Sequence, residues 1–404
     1  MPKASYIQAY RSKGVHHVIG LMSGTSLDGV DGVLVEITSD PHGHVSAIRV
    51  LDRQTIDYPA ALRERVNNLC TPGNADITDV NAAHTALAHW NAAVVNALKE
   101  RSSIPIDAVG MHGQTVWHEP TGVPFPLPDG SALVRGTLQL GNPQVLASLT
   151  DLPVISDFRS ADMAIGGQGA PLSPFIDHLL FAEKGMSVAV QNIGGIGNVT
   201  VLPKDEGFGS VWAFDTGPGN MIIDAVVRWG SEGRERYDDE GRIAAEGEVD
   251  EALLASLMED PYFAKNPPKS TGREVYGEGF TSEFIQRALL RGLDYAGIVA
   301  TATAFTARSI TDSYRSLILP TTNLDRVVIC GGGARNRTLL AMIAANLEAE
   351  VVTSTSLGVL DTDREAMAFA LLAHASMMGV PSNIPAVTGA ERAVILGTVT
   401  MEYL

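Results

Sequence analysis

Leu21-Met-Ser-Gly-Thr-Ser-Leu-Asp-Gly-Val-Asp-Gly32 follows a short apolar run, Val18-Ile19-Gly20, close to the start of the chain. Glycines at 24, 29 and 32 mark a tight turn, and Ser23, Thr25 and Ser26 put hydroxyls on it. Gly24 and Gly29 have the spacing of a P-loop, but that motif continues with Lys and Ser/Thr, and this chain continues with Val30 and Asp31. The context differs as well. The flanks HHVIGLMSG and GVLVEI both read as strands, with Val33, Val35 and Ile37 at alternate positions, whereas a P-loop leads from strand to helix. The stretch is therefore a strand-to-strand hairpin. Its backbone N–H groups and hydroxyls are suited to phosphate oxygens. An aspartate beside phosphate needs a cation between them, so Asp28 or Asp31 is a candidate holder of hydrated Mg²⁺. An ordinary Asp-Gly hairpin turn accounts for the same residues without any ligand.

A second hairpin of this kind occurs at VAVQNIGGIGNVTVL, residues 188–202, where Gly194 and Gly195 form the turn. It reads as a weak internal repeat, with one hairpin opening each half of the chain. Two such hairpins make a two-sided phosphate clamp. Strand-like and helix-like segments alternate elsewhere. Residues 79–99 and PQVLASLT read as helices, and TLQL and PVISDF as strands. EPTGVPFPLPDGSALVRGT, rich in proline and glycine, reads as a loop or exposed excursion. VWAFDTGPGNMIIDAVVRWG and RVVICGGGARNRTLLAMIAANL each read as strand, glycine loop and helix. In the first, Met221, Ile222, Ala225, Val226 and Trp229 fall on one helical face; in the second, Leu339, Ile343 and Leu347 do. DREAMAFALLAHASMM is apolar nearly all round, as a buried helix is. The fold class is α/β, in two similar domains around a central cleft. The expected boundaries are 1–185 and 186–404, with the last helix able to pack back on the first domain.

The 404 residues are ample for two domains with real cores. A formal net charge of −17 argues against nucleic acid and against anionic membrane as partners, though not against a small anionic substrate. Two cysteines, Cys70 and Cys330, make no disulfide framework. The first seventeen residues lack the apolar core of a secretory signal, and no run is long enough to span a bilayer. A cytoplasmic protein is expected.

The remaining candidates are loop residues. Asp215, in Asp215-Thr-Gly-Pro-Gly-Asn220, is placed at a strand's end before a helix, where ligands gather in α/β domains. A carboxylate there can take a proton from a hydroxyl or a water. Helix capping is the competing role, and Asn220 suits it better than Asp215. Gly331-Gly332-Gly333 with Asn336 lacks the third glycine and the acidic partner of a dinucleotide site. It suits backbone contact with an adenosine or its α-phosphate. Thr362-Asp-Arg-Glu365 fits a capping box, with a place near a metal as the other role for Glu365. His112, Gln114, Arg159, Asp162, Gln168 and Arg273 are candidate substrate contacts in polar segments. Arg159 and Arg273 are suited to a carboxylate or phosphate. His112 and His118 lack zinc-site spacing.

Taken together, LMSGTSLDGVDGV, HGQT, QLGNP, DFRSADMAIGGQGAPL, NIGGIGN, FDTGPGN, KSTGRE, CGGGARN and REAMAFALLA resemble the anhydro-N-acetylmuramic acid kinases, in one order across residues 20–375. That resemblance implies duplicated actin-like (ribonuclease H-like) ATPase domains with ATP between them. It implies ATP, Mg²⁺ and water acting on 1,6-anhydro-N-acetylmuramic acid, a sugar released in cell-wall recycling. It assigns Asp215 as general base and Gly24, Thr25, Ser26, Leu27, Asp28, Gly29, Val30 and Asp31 as the ATP phosphate site. It puts Asp28 and Glu365 near the metal, and it suggests a homodimer. Levoglucosan kinase is the nearest alternative. A nucleotide-gated binding protein of the actin or chaperone type is an alternative of another class, and it leaves the Asp215 carboxylate without a task. The longer N-terminus and the proline-rich segment at 119–137 depart from the compact family pattern.

Overall fold

Strand β1 (Val15–Ser23) passes through the glycine segment into β2 (Gly29–Ser39), and β2 folds back as β3 (Val45–Asp57). These three pair antiparallel, Val18 facing Val35 and Val35 facing Val50. β4 (Ala108–Leu127) then lies parallel to β1, and β6 (Val154–Ser156) parallel to β4, while β5 (Gly130–Leu140) folds back on β4. A short strand, Thr398–Thr400, completes this sheet at the β6 edge. The computed structural model describes residues 3–24, 27–128 and 130–401.

The second sheet repeats the plan. β7 (Val188–Ile193), β8 (Ile196–Leu202) and β9 (Trp212–Pro218) form an antiparallel meander. β10 (Arg326–Cys330) runs parallel to β7, and β11 (Glu350–Thr353) parallel to β10. The order β11-β10-β7-β8-β9 matches β6-β4-β1-β2-β3 strand for strand and sense for sense. This is the strand order of ribonuclease H-like domains, present twice, as in actin-like ATPases.

The chain divides into two compact units, Met1–Leu180 with Thr362–Leu404, and Phe181–Asp361. The boundary expected after residue 185 falls close to the observed one, and the last helix packs back on the first unit, together with everything that follows it. In the structure residues 362 onward belong to the first unit. The reason lies in glycine. Ile19, Leu21, Val109 and Met111 point to one face of the first sheet, where helix Ile77–Arg101 packs with Leu87, Val94, Val95 and Leu98. Gly20 and Gly110 point to the other. A Cβ at Gly20 would overlap the carbonyl oxygen of Ala366, and one at Gly110 that of Phe369. Helix Asp361–Met378 thus lies with its backbone directly on the sheet, and most of its residues are buried. Asp76 starts the helix on the opposite face by accepting from the N–H groups of Thr78 and Asp79.

Three local expectations need correction. Residues 119–127 and 130–137 pair as a two-stranded ribbon, with Val123 paired to Val134 and Phe125 to Ala132. Proline is tolerated because a ribbon edge needs no N–H there. The ribbon is exposed, Phe125 at 60% and Leu133 at 65%. Helix Asn220–Gly230 buries Ile222, Ile223, Val226 and Val227, and Trp229 faces outward. Helix Asp361–Met378 begins before Thr362, so no capping box forms there; the Thr362 hydroxyl donates to Asp363 instead. An unforeseen helix, Lys3–Arg11, precedes β1. Its Tyr10 hydroxyl pairs with His374 Nδ1 at 2.9 Å.

Candidate functional site

In the first unit the turn between β1 and β2 is braced from three sides. Thr25 and Ser26 lie outside the described residues. Leu27 N–H donates to the Gly24 carbonyl at 3.2 Å, and Tyr58 N–H to the Asp28 carbonyl at 2.8 Å. Gln114 Nε2 donates to the Gly24 carbonyl at 3.1 Å. Leu27 has a positive φ of 59°, a conformation that costs an aliphatic residue about 1–2 kcal/mol. Its side chain is buried in the core, which holds it there. Gly29 lies so close to β3 that a Cβ would overlap the Ile56 carbonyl. Asp28 is exposed, Val30 is buried, and the Asp31 carboxylate accepts from the Thr55 hydroxyl at 2.5 Å. Beside the turn is a cavity of about 280 Å³, lined by Leu27, Cys70, Gln114, Val116, Trp117 and His118 among others.

Glu365 is an exposed residue in a crowded neighbourhood. The crowding raises its pKa; Arg364 opposes the rise and the Asp31 charge adds to it. Asp363 is likewise raised by burial and by Asp31, against its ion pair with Arg53 at 3.1 Å. Carboxylates that repel one another across a short gap are the donor chemistry a hydrated Mg²⁺ fits. The aspartate whose charge reaches Glu365 is Asp31. Among the described residues no group of three or more His, Cys, Asp or Glu is placed to hold a metal ion.

The substrate candidates of this unit mostly hold one another. His112 is buried, and its pKa is pushed down to about 3 by burial and by Arg159. It is neutral, and its Nε2 accepts from Arg159 Nη2 at 2.9 Å, which places the proton on Nδ1. Arg159 Nη1 donates to the Gly169 carbonyl at 2.7 Å. Asp162 is fully buried. It accepts from Gly169 N–H at 2.8 Å, and from Asn383 and Thr388 at 2.7 Å each. These bonds give Asp162 the task of holding the DFRSAD and GGQGAP segments together. Gln168 is exposed, its N–H on the Thr388 carbonyl at 2.9 Å.

In the second unit the Gly194-Gly195 turn serves helix Asn220–Gly230. The Gly194 carbonyl accepts Asn220 N–H at 2.7 Å, and the Gly195 carbonyl accepts Gly219 N–H at 2.9 Å and Met221 N–H at 3.2 Å. The helix is therefore capped by the hairpin. Asn220 does not cap it, because its amide donates to the Ile193 carbonyl at 3.2 Å. Gly331, at φ 81°, gives its N–H to Asp361 at 2.9 Å, and a Cβ there would crowd the Ile193 carbonyl. Gly332 and Gly333 open a single 3₁₀ turn, and Asn336 caps the following helix through Leu339 N–H at 2.9 Å.

Asp215 lies inside β9, opposite Asn198, three residues short of the strand's end. Its Oδ2 accepts Thr271 N–H at 3.0 Å. Among the described residues Oδ1 accepts nothing. Burial raises the carboxyl pKa; Thr271 N–H opposes this, Glu274 adds to it and Lys269 opposes it. Arg273 is exposed, at the start of helix Arg273–Tyr276. Lys269 carried no special role in the sequence reading. It is 9% exposed, and its carbonyl accepts Asp215 N–H at 3.2 Å.

Two ribonuclease H-like units, each headed by a glycine-turned hairpin, are the build of the actin-like ATPase and sugar-kinase class. The profile of the anhydro-N-acetylmuramic acid kinases matches residues 16–402. The chain belongs to that family. It is 39% identical over 388 residues to the anhydro-N-acetylmuramic acid kinase of Caldanaerobacter subterraneus, covering 95% of this chain and 96% of the relative. It is 40% identical over 395 residues to the one named so in Salinibacter ruber, covering 95% and 96%. Among solved structures, gluconate kinase from Lactobacillus acidophilus aligns at TM-score 0.43 and 10% identity, over 95% of this chain and 94% of that one.

Proposed function

We propose that this chain is an ATP-dependent kinase that opens the 1,6-anhydro bridge of 1,6-anhydro-N-acetylmuramic acid and phosphorylates O6. The products are N-acetylmuramic acid 6-phosphate and ADP, and the setting is cell-wall recycling. The observation that carries this reading is Asp215. Its carboxylate is anchored through one oxygen by Thr271 N–H and keeps the other open. Burial raises its basicity.

Asp215 takes a proton from water, and the water oxygen bonds to the anomeric carbon. The bond from that carbon to O6 breaks, and O6 bonds to the γ-phosphorus as the link to ADP breaks. A loose phosphoryl-transfer transition state calls for positioning and charge neutralisation. The turn at residues 24–31 supplies N–H donors for the phosphates. The Gly331-Gly332-Gly333 turn suits the adenosine side, through backbone rather than through Asn336. Bound Mg²⁺ would neutralise phosphate charge, and Glu365 with Asp28, or with Asp31 in its place, are the carboxylates suited to hold it. On the family resemblance the chain works in the cytoplasm as a homodimer. No helix among the described residues is long and apolar enough to cross a membrane.

The test is ADP release with ATP, Mg²⁺ and either the anhydro-muramic sugar or levoglucosan. The reading expects release with the first and little with the second. No release with either overturns it. Asp215→Asn should abolish turnover and leave ATP binding intact.

A further inference from the structure

Lys269 is a buried cation whose ammonium has no hydrogen-bond partner. An ammonium is a strongly hydrated point charge, and removing it from water without a partner is costly. The surroundings show what offsets that cost. Its Nζ lies 4.7 Å from the centre of the Tyr262 ring and 5.6 Å from that of Phe214. Aromatic faces attract a cation without accepting a hydrogen bond from it. Both rings belong to the Asp215 environment. Phe214 is the preceding residue, and the Tyr262 hydroxyl donates to the Asp215 carbonyl at 2.6 Å. The lysine's own carbonyl accepts Asp215 N–H, and Thr271, two residues on, holds the Asp215 carboxylate. One short segment therefore fixes the backbone of Asp215, one of its oxygens and a positive charge nearby.

We propose that Lys269 is a positioning residue for Asp215, an aromatic-caged cation that keeps the carboxylate ionised without bonding to it. The proposal rests on the assignment of Asp215 as the base. A direct ion pair would occupy the oxygen that must accept the proton and would make it a weaker base. A caged ammonium at a distance supplies field alone. Burial lowers the Lys269 pKa and Asp215 opposes this; the other charged groups facing the pair are Glu274, which acts on Asp215 in the opposite sense, and Lys265, which repels Lys269. Tyr262 faces both and stays neutral, its pKa raised by burial and by Asp215.

The test is the pH profile of kcat for Lys269→Met, Lys269→Arg and Glu274→Gln, each checked for folding by its unfolding midpoint. Removing the positive charge should move the acid limb up, as the loss of a nearby opposite charge does. Arginine should return it toward the native position, and Glu274→Gln should move it down. KM for ATP should stay unchanged in all three. If Lys269→Met does not fold, Lys269→Gln carries the same test. An acid limb that stays put in a folded neutral variant, with activity reduced equally at every pH, overturns the proposal and leaves Lys269 a packing residue. Near-normal turnover in Asp215→Asn would instead overturn the base assignment, whatever the lysine variants do.

Discussion

Gln114 reaches back from β4 and donates its amide N–H to the carbonyl of Gly24, 3.1 Å away. The two residues are ninety positions apart, and the bond ties the HGQT segment to the start of the β1–β2 turn. Gln114 is almost completely buried, so the bond works in a low dielectric. Gln114→Met keeps about the same size, loses the donor and adds no charge. A bond of this kind contributes about 1 kcal/mol, so ATP affinity should fall roughly fivefold by titration calorimetry. Unchanged affinity would show that the turn keeps its shape without Gln114.

Gly20 and Gly110 are the seats of helix Asp361–Met378. A methyl at either would overlap a helix carbonyl rather than a movable side chain. Gly20→Ala and Gly110→Ala should each destabilise the first unit by about 3 kcal/mol in urea unfolding, the upper range for overpacking. Gly136→Ala, in the open ribbon where a Cβ meets nothing, is the control and should be close to neutral.

Asp224 sits one turn into helix Asn220–Gly230, and burial pushes its pKa up to about 6 against the opposing pull of Arg228. A folded pKa above the unfolded value favours the protonated carboxyl in the native state. The associated stability is present below the unfolded pKa and is lost as pH rises through about 6. Asp224→Asn should therefore match the native protein near pH 4 and exceed it at pH 8. The linkage between shift and free energy sets the gain at about 3 kcal/mol at most, because the side chain is only partly buried. Equal stabilities at pH 8, in denaturant titrations at both pH values, would exclude a buried, destabilised carboxylate at this position.

The two hairpins were legible in the sequence because alternation and glycine spacing are local signals. Val33, Val35 and Ile37 alternate along β2, and that period fixes a strand without reference to anything distant. The repeat of NIGGIGN on LMSGTSL anticipated the shared strand order of the two sheets. The ribbon at 119–137 was illegible for the opposite reason. Its prolines signal a loop locally, and only pairing across the ribbon makes it a strand. Asn220 and Asp162 were misjudged in the same way. Asn220 has the composition of a cap, but the hairpin carbonyls reach the helix N–H groups first. Asp162 sits in a polar string, and the partners that bury it, Asn383 and Thr388, are more than two hundred residues away. Lys269 was visible only as one charge in KSTGRE. Nothing local says that its ammonium lies under Tyr262.

The first unit is built from both sides of the second in the chain. On the ribosome, residues 181–361 emerge as one uninterrupted piece and can complete their own sheet while the rest of the chain is still being made. The first unit has to wait. Until helix Asp361–Met378 appears, Gly20 and Gly110 form a bare trough on a sheet whose other face is already covered. Nascent chains carrying the first 360 residues should therefore present that trough to chaperones, because the helix that closes it is made only after the second unit.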